Sequence, residues 1–190
     1  MKRLLDFLLA LICLIIFSPL FVIFYIAIRI EDGKPVIFKQ QRIGKNGKPF
    51  YIYKFRSLTI DGGNEEDLLN GQTKKKELTH IGKFLREHHL DELPQLWNVL
   101  IGDMSFVGPR PERKYYIDMI IKHDPRYELL YKLRPGVTSY ATLHNGYTDT
   151  IEKMLIRLEM DLDYLEHQTL MLDAKILIET FTNIIVGKKF

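Results

Sequence analysis

Two adjacent carboxylates, Asp91 and Glu92, and one arginine set between prolines, Arg110 in Gly108-Pro109-Arg110-Pro111, lie within the short stretch from Leu90 to Pro111. Paired acids beside a preorganised guanidinium suit phosphate chemistry that needs a divalent metal. An ionised carboxylate serves as a nucleophile or as an oxygen ligand for Mg²⁺, which shares its shell with substrate phosphates. Arg110, in a loop stiffened by prolines, offers a planar donor fork to a phosphate. Lys54, Arg56 and Arg86 are further candidates for charge neutralisation. The bland reading of an acid pair at a helix start is a cap that favours the helix dipole. If Asp91 caps a helix, the same dipole lowers its pKa and keeps it ionised.

Other chemistries lack their residues. His88 and His89 precede the pair without HExxH or Cys/His zinc spacing. There is no GxxxxGK[ST] loop, no GxSxG, and the single cysteine, Cys13, lies in an apolar run. With one cysteine there is no disulfide framework, and the polar part of the chain fits a reducing compartment.

The elements that must position these groups begin with that run. Leu4 to Ile28 holds only Asp6, Ser18 and Pro19 as non-apolar members, and about 20 residues suffice to span a bilayer core. It is long for a signal peptide and no small-residue cleavage site follows it. Pro19 predicts a kink. Lys2 and Arg3 flank one end, Arg29 and Lys34 the other, so both ends favour the cytosol. A re-entrant helix bent at Ser18-Pro19 satisfies both features; a kinked transmembrane helix is the alternative. The net charge of +3 is uneven: Arg29 to Ser57 carries eight Lys/Arg against two acids, and Glu152 to Glu179 seven acids against three Lys/Arg. A basic block after an apolar segment fits anionic headgroups, and no nucleic-acid-binding signature accompanies it.

Beyond the apolar run, 190 residues leave room for one modest domain. Val36–Ile43 and Tyr51–Leu58 read as strands joined at Gly44-Lys45-Asn46-Gly47, with Lys54 and Arg56 on one face. Asp61–Glu77 is polar, as a mobile loop or lid would be. Helices are predicted from Ile81 to His89, from Asp91 onward, and from Glu112 to Lys122. Phe106–Pro111 is read as irregular and Leu133–Gly136 as a turn. Ile151, Met154, Leu155, Leu158, Leu162 and Leu165 recur at helical spacing, predicting a helix over Thr150–His167. Ala174–Val186 suits core, the lipid interface or a self-contact in a homo-oligomer. The fold class expected is α+β: a membrane element over 1–30, then a small, mainly helical cytosolic domain with a β-hairpin over 31–190.

On these residues the chain resembles the bacterial sugar transferase family, the small monotopic phosphoglycosyl transferases that act on polyprenyl phosphate. The resemblance runs from Lys2 to near the C-terminus. It rests on Ser18-Pro19, Lys54-Phe55-Arg56-Ser57, Arg86, Leu90 to Leu96, Asn98-Val99-Leu100, Gly102 to Pro111 and Arg134-Pro135-Gly136. It implies a re-entrant helix, Mg²⁺ at Asp91 and Glu92, and phosphate or substrate contacts from Lys54, Arg56, Arg86, Arg110 and Arg134. It also implies a two-step reaction. Asp91 attacks the β-phosphate of a UDP-sugar, UMP leaves, and undecaprenyl phosphate takes the sugar phosphate from the enzyme. The expected setting is the cytosolic face of the bacterial inner membrane, in contact with membrane lipid and without nucleic acid. One departure stands out: where many members continue Gly-Trp-Ala-Gln-Val, this chain has Ser139-Tyr140-Ala141-Thr142-Leu143. The competing readings are a membrane-attached glycosyltransferase that moves only the sugar and releases UDP, and a non-catalytic scaffold.

Overall fold

The computed structural model describes residues 1–59, 77–146, 148 and 150–186. Of the stretch Asp61–Glu77, expected above as a mobile loop or lid, all but Glu77 lies outside the described residues.

Helix α1 runs from Lys2 to Asp32 with Pro19 inside it. At Pro19 the missing N–H leaves the preceding turn short of a donor, and the Ser18 hydroxyl donates to the Ile15 carbonyl at 2.8 Å. Most of its apolar side chains are exposed, among them Leu8, Ile12, Ile15, Ile16, Ile23 and Ile26. Its two ends are docked. Arg3 donates to the Val99 and Leu100 carbonyls at 2.6 and 2.7 Å, and buried Asp6 accepts from the Ser105 hydroxyl at 2.9 Å. At the other end Phe24 and Ile28 pack with Val36, Phe55 and Leu85.

The hairpin pairs β1 (Ile37–Ile43) with β2 (Pro49–Phe55), Gln40 opposite Ile52 and Phe38 opposite Lys54. Asn46 takes a positive φ of 59° in the turn, a conformation asparagine tolerates well. Helix α2 (His80–Glu87) starts at Thr79, whose hydroxyl accepts from Gly82 N. The carboxylate of Glu31, from the end of α1, accepts from His80 N and Ile81 N of the same turn. A 3₁₀ turn (Leu90–Glu92) leads past Pro94 into α3 (Gln95–Ile101).

Strands β3 (Ser105–Val107) and β4 (Gly136–Thr138) form a small parallel pair that the sequence reading did not foresee. Part of the stretch read as irregular is therefore a strand, as are the last residue of the predicted turn and the two after it. Gly108 and Gly136 meet backbone to backbone there. A Cβ on Gly136 would lie 2.2 Å from Gly108 N, and one on Gly108 would lie 2.3 Å from the Arg134 carbonyl. The two glycine-proline motifs are thus partners in space.

Helices α4 (Lys114–His123), α5 (Tyr140–Asn145), α6 (Ile151–His167) and α7 (Leu170–Val186) complete the fold. The periodic apolar face of α6 is buried as expected: Leu158 and Leu162 pack with Ile117, Ile120, Tyr127 and Leu130. A separate cluster joins Val107, Leu143, Tyr164 and Ile176 beneath α7. The architecture is α+β, mostly helical, with a long apolar N-terminal helix and small two-stranded sheets.

Candidate active site

The acid pair sits in the 3₁₀ turn after His89, which adopts a left-handed conformation (φ 54°, ψ 19°) and reverses the chain. The helix predicted from Asp91 begins instead at Gln95, with Pro94 before it. Asp91 therefore does not cap an α-helix, and the expected lowering of its pKa is not what the structure gives. Burial, with the Glu92 charge next to it, pushes the Asp91 carboxyl above its ordinary range, against the pull of Lys54, Arg86 and His89. Among the described residues it accepts no hydrogen bond. Glu92 behaves oppositely. Burial pushes it up, but Lys54 and Arg110 outweigh that and hold it below the usual carboxylate range. The Lys54 ammonium donates to Glu92 Oε1 at 2.5 Å.

That contact depends on Asn98, a fully buried side chain of α3. Its amide nitrogen donates to the Tyr51 carbonyl at 2.7 Å, and its amide oxygen accepts from Tyr53 N at 3.2 Å. The side chain satisfies the free edge of β2 as a third strand would. It thereby fixes β2, and Lys54 on it, against the acid turn. The Asn98 backbone carbonyl also accepts from Gly102, Asp103 and Met104 N, closing the helix.

The structure brings Lys54, Glu92 and Arg110 together and leaves two of the proposed arginines elsewhere. Arg56 is buried, with its guanidinium on the Asp32 carboxylate at 2.9 Å and the Asp32 carbonyl at 2.6 Å. Strand β2 has ended at Phe55, so Arg56 turns toward the end of α1 instead of sharing a face with Lys54. The Arg134 Nε donates to the Gly102 carbonyl at 2.8 Å, bracing the β3–β4 loops. Both guanidiniums engage groups of the protein itself in this arrangement. Arg86 is intermediate: its Nε donates to the Ser57 hydroxyl at 2.8 Å, and its charge acts on Asp91.

Arg110 lines several cavities, two of them sizeable. One, of about 240 Å³, is strongly basic, with Arg42, Arg110, Arg113 and Arg157 in its wall. Glu112 holds two of these, accepting from Arg157 at 2.7 Å and lying 3.7 Å from Arg42. The other, of about 300 Å³, has Glu92, His89 and Arg110 at one end and apolar walls from Leu93, Leu96 and Val137. Thr142, in the segment that departs from the family pattern, lines both. Asp91 lines neither; Glu92 is the acid exposed to the cavity. Sequence reasoning missed Arg42, Arg113 and Arg157. The basic block from Arg29 to Ser57 was the only signal, and it pointed to lipid headgroups.

The family model for bacterial sugar transferases matches residues 1–187. The chain belongs to this family. The UDP-N-acetylgalactosamine-undecaprenyl-phosphate N-acetylgalactosaminephosphotransferase of Aeromonas hydrophila is 37% identical over 98% of this chain and 44% of its own length. The UDP-glucose:undecaprenyl-phosphate glucose-1-phosphate transferase of Klebsiella pneumoniae is 40% identical over 94% of this chain and 39% of its own length. The uncharacterized sugar transferase EpsL of Bacillus subtilis is 37% identical over 99% of this chain and 89% of its length. The chain thus spans about two-fifths of the first two family members and most of the third. Those two act on different sugars at similar identity, so identity alone selects no sugar.

Proposed function

We propose that this chain transfers a sugar 1-phosphate from a UDP-sugar to undecaprenyl phosphate through a covalent intermediate on Asp91, releasing UMP. The observation that carries the reading is the cluster of Glu92, Lys54 and Arg110, with Asp91 beside them, from which Arg110 reaches the walls of both a basic and an apolar cavity. A nucleotide diphosphate matches the first in charge, and a lipid phosphate matches the second in polarity.

In the first step an Asp91 carboxylate oxygen bonds to the β-phosphorus of the donor. The bond from that phosphorus to the oxygen bridging the α-phosphate breaks, and UMP departs with the electron pair. In the second step a phosphate oxygen of the acceptor bonds to the same phosphorus and the carboxylate recovers its electron pair. Splitting one displacement into two spares the enzyme from gathering both bulky anions in a single encounter. Arg110 and Lys54 offset the charge of the phosphates as each arrives. Asp91 must be ionised to attack, so its raised pKa calls for positive charge at the site.

The donor set fits Mg²⁺. Lys54 engages only Oε1 of Glu92, and the neighbouring Asp91 carboxyl is penalised by the Glu92 charge, which a cation between them would relieve. Among the described residues no three His, Cys, Asp or Glu side chains converge, so Asp91 and Glu92 would hold the ion with substrate oxygens and water completing its shell. Bound there, Mg²⁺ supplies charge neutralisation at the transferring phosphate.

The membrane reading extends to a re-entrant α1 on the cytosolic face. Both ends of the helix dock on the same domain. From Ala10 to Leu20, the innermost docked residues, a straight helix measures about 15 Å, short of the ~30 Å hydrocarbon core. An apolar segment anchored at both ends on one domain, with so short a stretch between the anchors, supports seating in one leaflet rather than a full crossing.

The test is nucleotide release by purified protein with Mg²⁺, UDP-sugars and undecaprenyl phosphate, beside Asp91→Asn. UMP release by the parent, lost in the variant, is expected. Release of UDP would overturn the reading in favour of transfer of the sugar alone.

A further inference from the structure

The apolar cavity beside the acid pair does not end at the site. A second groove, of about 390 Å³, runs between the first turns of α1 and of α7, lined by Leu5, Leu8, Leu9, Ile12, Leu170 and Ala174. Phe106 and Leu177 line both this groove and the site cavity. Helix α7 walls the whole track, from Ile184 beside the site to Leu170 at the far end, about 21 Å along its axis. The polar groups at the far end are already engaged: Lys2 with Asp173 at 2.5 Å, and Asp6 with Ser105 at 2.9 Å. The outer surface there is apolar, with Leu4, Leu5, Leu8 and Ile12 of α1 and Met171 and Ile178 of α7 exposed.

We propose that this track binds the isoprenoid tail of the acceptor. The inference rests on the polyprenyl-phosphate reading above. The phosphate lies at Arg110, beside the acid pair. The first isoprene units cross Leu93, Leu96 and Val137. The tail then passes Phe106 and Leu177 and leaves for the bilayer between α1 and α7. The occupant follows from the polarity of the track. Arg110 and the acid pair mark one end, and the walls beyond are mainly apolar with threonines among them. The charges of the far groove are paired within the protein, and the surface where it opens is apolar. A nucleotide has no use for such walls, and a structural phospholipid has no reason to reach the acid pair.

Ala174→Trp tests this, because the residue is exposed, lines the far groove and touches none of the catalytic groups. Ile178→Trp, on the neighbouring exposed surface, is the control. With undecaprenyl phosphate, Ala174→Trp is expected to raise the acceptor KM about tenfold, equivalent to ~1.4 kcal/mol, or roughly two methylenes' burial. With geranyl phosphate, too short to pass Leu177, the KM stays within about twofold, and Ile178→Trp changes neither. An unchanged KM for the long acceptor overturns the proposal. An equal rise for both acceptors also overturns it, pointing to a bulk lipid or to the fold. Photolabelling with a diazirine-bearing polyprenyl phosphate reads the site without turnover. Label on residues 5–12 and 170–184 supports the track even in a protein that transfers nothing, where the catalytic reading alone would fall. Label confined to residues 15–23 refutes the track.

Discussion

Replacing Asn98 by alanine removes the one side chain that satisfies the free edge of β2. The Tyr51 carbonyl loses a 2.7 Å bond and Tyr53 N a 3.2 Å bond, in a position where Asn98 itself is fully buried. Each unsatisfied backbone group costs about 1–3 kcal/mol, so the pair is worth about 2–4 kcal/mol once partial rescue by water is allowed for. In a protein of this size that lowers the melting temperature by roughly 5–12 °C. Lys54 is next to Tyr53 in the same strand, so its hold on Glu92 loosens and kcat falls beyond the loss of folded protein. The assay is thermal unfolding of the detergent-purified protein by intrinsic fluorescence, with turnover measured well below the transition. Asn98→Asp keeps the shape and the acceptor for Tyr53 N but sets a carboxylate oxygen against the Tyr51 carbonyl. It should lose stability at neutral pH and recover part of it as the new carboxyl is protonated. An Asn98→Ala protein melting within about 2 °C of the parent would refute the clasp.

Asp161 carries a pH signature: burial pushes its carboxyl up to about 7. A raised carboxyl is protonated when folded and ionised when unfolded between the ordinary value and about 7, so it costs stability progressively as pH rises through that window and fully above it. Asp161→Asn should therefore raise the melting temperature at pH 8 and leave it nearly unchanged at pH 4; an equal shift at both would contradict the assignment. Arg56→Met should lower stability by about 1–3 kcal/mol by stranding the end of α1, while the donor KM of the folded protein stays put, whereas Arg110→Lys should raise that KM severalfold; parallel effects of the two variants on KM would put Arg56 back at the site. Gly136→Ala places a Cβ 2.2 Å from Gly108 N, and should leave little folded protein by size-exclusion chromatography.

What the sequence made legible follows from what is local. The α6 helix was readable because its apolar face repeats at helical spacing, and the hairpin because Gly44 to Gly47 carries turn chemistry. Lys54, Glu92 and Arg110 were readable as a group through the family resemblance, and they do converge. The start of the helix at the acid pair was misjudged because the left-handed reversal at His89 leaves only a 3₁₀ turn before Pro94. Arg56 and Arg134, expected among the phosphate contacts, bond carbonyls of the chain itself, which a guanidinium's five donors serve as readily as phosphates. The basic cavity was invisible in the linear order. Arg42, Arg113 and Arg157 come from a strand, the approach to α4 and α6, with Glu112 holding the first and the last together.

The bond between Asp6 and Ser105 has a consequence for biosynthesis. Asp6 sits in the second turn of an apolar helix, yet its partner lies 99 residues further along the chain. At roughly 5–20 residues per second, about 5–20 s pass between the emergence of the acid and that of the hydroxyl. Through that interval the Asp6 carboxyl lacks the hydroxyl partner beside which it is buried in the finished fold, and a polar group buried without its hydrogen bond is costly. The first turns of α1 can therefore settle onto β3 only once the last part of the acid-and-arginine stretch has left the ribosome.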